Sequence, residues 1–102
     1  VGEIVLKPWH MNILGIVHGG VLYSLADTVG GTAVMTGRDY AVPTVDGTIH
    51  YLKAGKNTSK IIARAQEIQN GYAFSVCECK IYDDKETLLA SATMTYYHLR
   101  KR

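Results

Sequence analysis

Residues 12–36 read NILGIVHGGVLYSLADTVGGTAVMT, a loop that runs into the one convincing helical pattern of this 102-residue chain. The spacing predicts a helix from Gly20 to about Thr36, because apolar residues recur along one stripe about 100° wide. The stripe consists of Leu22, Leu25, Ala26, Val29 and Ala33. A helix of about 17 residues is roughly 25 Å long, which is enough for a single curved sheet to wrap around it.

Strand patterns surround this helix. One short strand is expected before it, at about Glu3 to Lys7, and four after it. The later four cover Val45 to Tyr51, Lys60 to Gln69, Tyr72 to Tyr82 and Thr87 to His98. We therefore predict an α+β fold in which residues 1–102 form a single domain, one helix is wrapped by a curved antiparallel sheet of about five strands, and the later strands are joined largely as a meander. Such a small sheet leaves an edge and one face to be covered, which favours dimerisation.

Two turns and one strand face are specific enough to test. Asn70-Gly71 predicts a two-residue hairpin of type I′, because both residues tolerate a positive φ. A second turn is expected at 83–86. In the last strand, alternate residues should face the core, and these are Leu88, Ala90, Ala92, Met94 and Tyr96.

Composition excludes several classes of function. The formal charge of +2 comes without a basic stripe, so we expect no nucleic-acid partner. The basic run Arg100-Lys101-Arg102 is expected to be a solvated tail. No apolar run is long enough to cross a bilayer and no signal peptide is recognisable, so a membrane association is not expected.

The two cysteines, Cys77 and Cys79, lie two apart in a predicted strand. Their Cα atoms would be about 6.6 Å apart on one face, near the limit for a disulfide. We expect free thiols in the core rather than a metal site, since a lone C-x-C lacks a second ligand pair. Free thiols suggest a reducing compartment, and we expect a cytoplasmic protein.

Residues at the start of the helix could carry chemistry. Gly19 and Gly20 allow close backbone approach, and the first free N–H groups of a helix form a site for a negatively charged oxygen. Asp27 lies about 120° or more from the centre of the apolar stripe, so it is not expected to face the sheet. Its neighbours on that side are small residues, Gly20, Ser24 and Gly31, which would let a backbone or a ligand approach.

Each of these polar residues also has an ordinary structural explanation. Asp27 could be a solvated helix carboxylate, His18 a hydrogen-bonded loop histidine and Asn12 a common loop amide. Together they supply a hydrogen-bond acceptor, an amide donor and backbone N–H groups, which are the parts needed to polarise a carbonyl and activate water.

The pattern Asn12-x-x-Gly15-x-x-His18-Gly19-Gly20, with Asp27 nine residues after the histidine, resembles the phenylacetyl-CoA thioesterase (PaaI-like) family of the hotdog fold. The similarity continues through TVDGTIHYLKA at 44–54 and IQNG at 68–71, and it spans about residues 10 to 98. It implies an acyl-CoA thioesterase that acts on aryl or medium-chain thioesters without a metal or other cofactor.

The resemblance also implies roles for individual residues. Asp27 would be the nucleophile or general base, and the backbone N–H of Gly19 would stabilise the oxyanion. Asn12 and His18 would position the thioester or the water, and Thr44 would help to hold the water. The carboxylate and the oxyanion donor facing one substrate would come from different subunits, so that a homodimer is the smallest active unit and a homotetramer the expected assembly.

Coenzyme A, as part of the substrate, would lie along the surface near Gly20, Lys53, Ala54, Lys56 and the Asn70-Gly71 turn. The sequence departs from the family at two of these places. Lys53-Ala54-Gly55 stands where a proline is common, and Tyr72 follows Gly71 where a basic residue is common. The contacts with the nucleotide part of coenzyme A are therefore expected to differ from those in relatives.

Two other functions fit a hotdog domain. A non-catalytic domain could bind acyl-CoA as a sensor, although it would not need Asp27 together with Asn12 and His18. A hotdog dehydratase would need a histidine and an acid in a different arrangement.

Overall fold

A computed structural model describes residues 1–100 of the chain. It contains five strands, a short 3₁₀ turn at Pro8–His10 and one long helix. In chain order these are β1 (Gly2–Val5), α1 (Gly19–Met35), β2 (Thr44–Tyr51), β3 (Lys60–Asn70), β4 (Phe74–Asp83) and β5 (Leu88–Tyr97). The predicted α+β class, the single long helix and the five-stranded antiparallel sheet are confirmed.

The sheet has the strand order β1-β3-β4-β5-β2, and every neighbouring pair is antiparallel. The predicted meander is therefore correct only for β3, β4 and β5. The strand that follows the helix, β2, pairs with β5 rather than with β3, so the chain crosses the sheet between Tyr51 and Lys60. As a result β1 and β2 are the two edges.

The helix packs its predicted apolar stripe on the concave face of this sheet. Leu22, Leu25, Ala26 and Val29 are buried, whereas Ala33 is only partly buried and Val34 takes the core position near the helix end. Gly30 is buried too, because the ring of Tyr96 and the sulfur of Cys79 occupy the space where its side chain would be. Gly30 thus allows the helix to pack closely against the sheet.

The cysteines are free and fully buried, as expected. The Cys79 thiol donates to the carbonyl oxygen of Ala26 at 3.3 Å, and Cys77 lies 3.7 Å from that of Gly30. Burial raises the pKa of Cys77 to about 11 and that of Cys79 to about 12. Both thiols are therefore protonated at neutral pH.

Two local predictions are wrong, namely the type I′ turn at Asn70-Gly71 and the core position of Leu88. Neither Asn70 nor Gly71 has a positive φ. The β3–β4 connection is longer than a type I′ turn, with Asn70 opposite Ser75 and the Gly71 N–H bonded to the Phe74 carbonyl at 2.9 Å. The register of β5 also shifts near its start, where Ile81 faces Ala90 but Tyr82 faces Leu88.

This shift turns Leu89 into the core and leaves Leu88 only partly buried. The rest of the predicted face of β5 is correct, since Ala90, Ala92, Met94 and Tyr96 are all buried. The turn at 83–86 is confirmed, because the Asp83 N–H bonds to the Thr87 carbonyl at 3.0 Å.

The C-terminal segment is fastened to the domain by a buried histidine. Nε2 of His98 lies 2.8 Å from the Ser75 hydroxyl, and Nδ1 lies 3.1 Å from that of Tyr40. Arg100 is not the solvated residue that was predicted, because it stacks on the rings of Tyr40 and Tyr72 and donates to the Tyr72 carbonyl. The other two residues of that basic run, 101 and 102, lie outside the described residues.

Within residues 1–100, no helix is both long and apolar enough to span a membrane.

Candidate active site

The helix begins at a pair of glycines whose amides are free. His18 is the N-cap, and its carbonyl accepts the N–H of Val21 at 3.0 Å. The N–H groups of Gly19 and Gly20 have no acceptor among the residues that the structure describes. This is the arrangement that binds an anionic oxygen at the start of a helix.

The loop before the helix is held in shape by Asn12. Its side-chain oxygen accepts the N–H groups of Leu14 at 2.9 Å and Ile16 at 3.1 Å, and Gly15 takes a left-handed φ of 73° within this turn. The Val17 N–H bonds to the Gly55 carbonyl at 3.0 Å, which ties the loop to the connection between β2 and β3. The glycine of the Asn12-x-x-Gly15 pattern is therefore required by the backbone.

Asn12 and Gly19 line one pocket of about 340 Å³ at this end of the molecule. Lys53 and Ala54 lie in the same wall, together with Tyr51, so four of the predicted site residues meet here. The remaining lining residues are Ile16, Val17, Leu22, Leu52 and Gly55. The pocket combines apolar walls with a free amide at the start of a helix, which suits a carbonyl group attached to an apolar acyl chain.

Asp27 and Thr44 form a second cluster. The Thr44 hydroxyl donates to Oδ1 of Asp27 at 2.6 Å, and the Tyr96 hydroxyl donates to the Asp27 backbone carbonyl at 2.8 Å. A β-bulge lies between Thr44 and Asp46, where the pairing with β5 shifts by one residue and turns Thr44 toward the helix.

The prediction that Asp27 points away from the sheet is therefore wrong. The curved sheet wraps more of the helix than the apolar stripe covers, so the edge strand β2 reaches Asp27. The predicted glycine-lined side is also only partly open. A side chain at Gly20 would meet no atom within 4 Å, but one at Gly31 would meet the ring of Tyr96 at 3.4 Å.

The two clusters do not meet within one chain. Gly19 and Asp27 are eight residues apart, which is about 12 Å along the helix axis. Tyr23 lies between them on the same side of the helix, and its hydroxyl fills the space next to Gly47 in the middle of β2. A single thioester carbon cannot touch both groups of the same chain.

His18 and Gly20 line a different, open pocket of about 560 Å³, on the side of the helix start that carries Ile4 and His10. The His18 side chain is exposed. Within one chain, His18 therefore does not share a pocket with Asn12, although the sequence pattern places both around Gly19.

The predicted coenzyme A residues lie at opposite ends of the sheet. Lys53, Ala54 and Lys56 follow β2 near the start of the helix, whereas Asn70 and Gly71 end β3 at the far side. β3 has 11 residues, so the two groups are separated by roughly 33 Å of strand. A third groove, of about 520 Å³ between β1 and α1, contains none of the predicted site residues.

Tyr51, which the sequence offered with Tyr23 and Met35 only as a possible lining residue of an acyl pocket, makes a contact here that the sequence did not predict. Its hydroxyl donates to the Gly19 carbonyl at 2.9 Å, and it lines the same pocket as Asn12. The alternation of β2 puts Tyr51 on the same face as Gly47 and Ile49, which was the available signal. The partner at the helix start, however, is 32 positions away and has no local signature.

No group of three or more His, Cys, Asp or Glu side chains within residues 1–100 is arranged to hold a metal ion.

Comparison with known proteins gives consistent results. Residues 14–90 match the sequence model of the thioesterase superfamily. A curated relative from Archaeoglobus fulgidus, named "Putative esterase", is 28% identical over 99 residues, and the match covers 97% of this chain. The chain spans 64% of the length of that relative.

Two solved structures show the same fold over almost the whole chain. A Bacillus halodurans protein crystallised with CoA is 30% identical, with a TM-score of 0.91 over 98% of this chain and 67% of its own. A hypothetical thioesterase from Streptococcus pneumoniae, crystallised with coenzyme A, is 25% identical, with a TM-score of 0.88 over 98% of this chain and 80% of its own.

Proposed function

The chain belongs to the thioesterase superfamily, and from that premise we propose that it hydrolyses acyl-CoA thioesters to the free acid and CoA. The observation that carries the proposal is a pair of contacts between the edge strand β2 and the helix. Thr44, at the start of the strand, bonds to Asp27, and Tyr51, at its end, bonds to Gly19. The substrates we propose are aryl or medium-chain acyl-CoAs, as in the PaaI-like enzymes that the sequence resembles. Residues 1–102 would act as one thioesterase domain.

Asp27 would act as the general base or as the nucleophile. As a base it takes a proton from water while the water oxygen bonds to the thioester carbon, and Thr44 holds that water. The carbonyl oxygen becomes negative and is stabilised by the Gly19 N–H, before the carbon–sulfur bond breaks and the CoA sulfur takes up a proton. As a nucleophile, Asp27 would displace the CoA thiolate, which takes up a proton, and form an anhydride that water then hydrolyses to the free acid and the Asp27 carboxylate.

A dimer formed through β2 would complete this site. β2 is an edge strand with unpaired backbone groups along one side. If two copies of β2 pair antiparallel around a two-fold axis at Thr48, the bulged start of one copy, which carries Thr44, comes opposite Tyr51 of the other. Asp27 of one subunit then faces Gly19 of the second, which the 12 Å separation within one chain does not allow.

Coenzyme A would lie on the surface of this dimer. The CoA-bound Bacillus halodurans and Streptococcus pneumoniae structures support this type of ligand. Lys53 and Lys56 are exposed cations beside the pocket at Gly19 and would face the phosphates, with Ala54 and Gly20 in backbone contact. The Asn70-Gly71 turn, at the far end of one subunit, would have to reach the nucleotide of another subunit.

The first experiment is CoA release from phenylacetyl, benzoyl, hexanoyl and acetyl thioesters, with the wild type beside Asp27→Asn. We expect a loss of at least about a hundredfold in kcat, because the amide can neither take a proton nor attack. The matched control is Asp39→Asn, at an exposed carboxylate outside the site, which should retain full activity. Acyl-CoA binding without turnover in the wild type would contradict the proposal and identify a sensor instead.

A further inference from the structure

Tyr51 joins the end of an edge strand to the first turn of the helix. Its hydroxyl donates to the carbonyl oxygen of Gly19 at 2.9 Å, across 32 positions of sequence. The tyrosine is 54% exposed, so core packing alone does not hold its side chain in this orientation. The hydrogen bond to Gly19 is the polar contact that fixes it.

The ring itself lies against Gly19. A Cβ atom on Gly19 would come within 3.0 Å of both the ring carbon Cζ and the hydroxyl of Tyr51. Glycine at this position therefore leaves room for the ring against the turn. On the pocket side, the same ring forms a wall next to Asn12.

The backbone on either side of Tyr51 is anchored to β5. Tyr51 pairs with Ala90, and the N–H groups of Leu52 and Lys53 both bond to the Leu89 carbonyl, at 2.8 and 3.1 Å. Leu89 and Ala90 are fully buried. Tyr51 thus links a sheet end that is anchored to buried residues with the first turn of the helix.

We propose that Tyr51 is a positioning residue that holds the Gly19-Gly20 turn, and so its free N–H groups, in place for the oxyanion. The inference rests on the proposed function. Tyr51 acts through Gly19 and transfers no proton itself. A carbonyl that accepts a hydrogen bond also polarises its peptide group, so Tyr51 makes the Gly20 N–H a better donor, whereas it acts on the Gly19 N–H only through the position of the turn.

Substitution of Tyr51→Phe tests this assignment, since it keeps the ring over Gly19 and removes only the hydroxyl. We expect kcat for the best thioester to fall about fivefold, which corresponds to about 1 kcal/mol at 1.36 kcal/mol per factor of ten. KM should stay within about twofold, because the ring and the pocket wall remain. Tyr51→Leu, which removes ring and hydroxyl, should lower kcat further and raise KM.

Tyr82→Phe is the matched control. Tyr82 is half-buried on β4, next to Arg64 and away from the helix start, and it should give wild-type kcat and KM. Thermal unfolding of Tyr51→Phe should lie close to that of the control, so that a lower kcat does not come from instability. In amide spectra, the Gly20 proton should move in Tyr51→Phe and not in Tyr82→Phe.

The outcomes separate the two proposals. If the wild type hydrolyses thioesters and Tyr51→Phe has an unchanged kcat, the positioning role is wrong while the proposed function stands. If KM rises and kcat does not change, Tyr51 serves only in binding, and the inference also fails. If the wild type binds acyl-CoA but hydrolyses none of the panel, the proposed function fails, and the positioning role fails with it.

Discussion

At the scale of single residues, His98 makes the stability of the fold dependent on pH. Burial is the main cause that lowers the pKa of His98 below its usual 6.5, and the nearby cations Arg38 and Arg100 add to it, while Glu67 acts in the opposite direction. The native state therefore keeps this imidazole neutral, bonded to Ser75 and Tyr40.

The unfolded chain binds the proton first as pH falls. The stabilising contribution is complete above pH 6.5 and is lost progressively as pH falls below 6.5 toward the lowered native pKa. We expect the free energy of unfolding to decrease over this range by up to about 1.4 kcal/mol per pH unit. Chemical denaturation at half-unit steps from pH 7.5 to 5 measures this slope.

The His98→Gln variant should be less stable at pH 7 and should lose this slope, because glutamine hydrogen-bonds without titrating. His50→Gln, at an exposed histidine on β2, should keep the slope of the wild type. An equal slope in wild type and His98→Gln would show that other groups govern the acid response.

At the scale of elements, the contact between α1 and the sheet depends on Gly30. A Cβ atom there would lie 2.5 Å from the Tyr96 hydroxyl and 3.0 Å from the Cys79 sulfur. Tyr96 cannot move away cheaply, because it is buried and donates to the Asp27 carbonyl.

We therefore expect Gly30→Ala to destabilise the fold by about 2 kcal/mol, although alanine is favoured over glycine inside a helix by about 1 kcal/mol. Gly20→Ala is the matched control, since its Cβ would enter open space and its unfolding free energy should not decrease. Urea titration of both variants gives the comparison. A Gly30→Ala protein as stable as the wild type would mean that the sheet can yield around Tyr96.

The elements also show which features the sequence could predict. The bounds of the helix were predicted to within one residue, because the period of its apolar side chains is a local property. The place of β2 beside β5 and the bulge next to Thr44 were not predictable, since both arise from pairing between distant segments. For the same reason the orientation of Asp27 was predicted wrongly, because it was judged from the helix alone.

At the scale of the whole molecule, the polar groups that the sequence predicts for the site lie in two separate clusters of one chain. Asn12 and Gly19 line a pocket at one end of α1, and Asp27 meets Thr44 further along. If both clusters act on one thioester, as we propose, the site needs a second subunit, which a single sequence does not display.

This dependence predicts complementation between two inactive variants. Gly19→Pro removes the proposed oxyanion donor and suits the first helical position, since His18 already has the extended conformation that precedes proline, with ψ of 136°. Its Cβ would also press on the Tyr51 ring at 3.0 Å, so the variant disturbs the same turn in two ways. Alone, it should lose about a hundredfold to a thousandfold in kcat. Co-expression of Gly19→Pro with Asp27→Asn should restore about a quarter of wild-type activity, because half of the dimers are mixed and each carries one intact site.

The control mixes each variant with itself under the same conditions, and no activity should return. If mixed dimers form but remain as inactive as either parent, the carboxylate and the amide act within one subunit, and the proposed β2 pairing is wrong. Sedimentation of the wild type should show a dimer or a larger even-numbered assembly.

The buried thiols allow the opening of the core to be measured by thiol labelling. Cys77 and Cys79 are enclosed between the sheet and the helix, and their raised pKa values leave almost no thiolate at neutral pH. An alkylating reagent can reach them only when α1 separates from β4. The rate at which the two sulfurs become labelled therefore reports how readily the core opens, without any engineered probe.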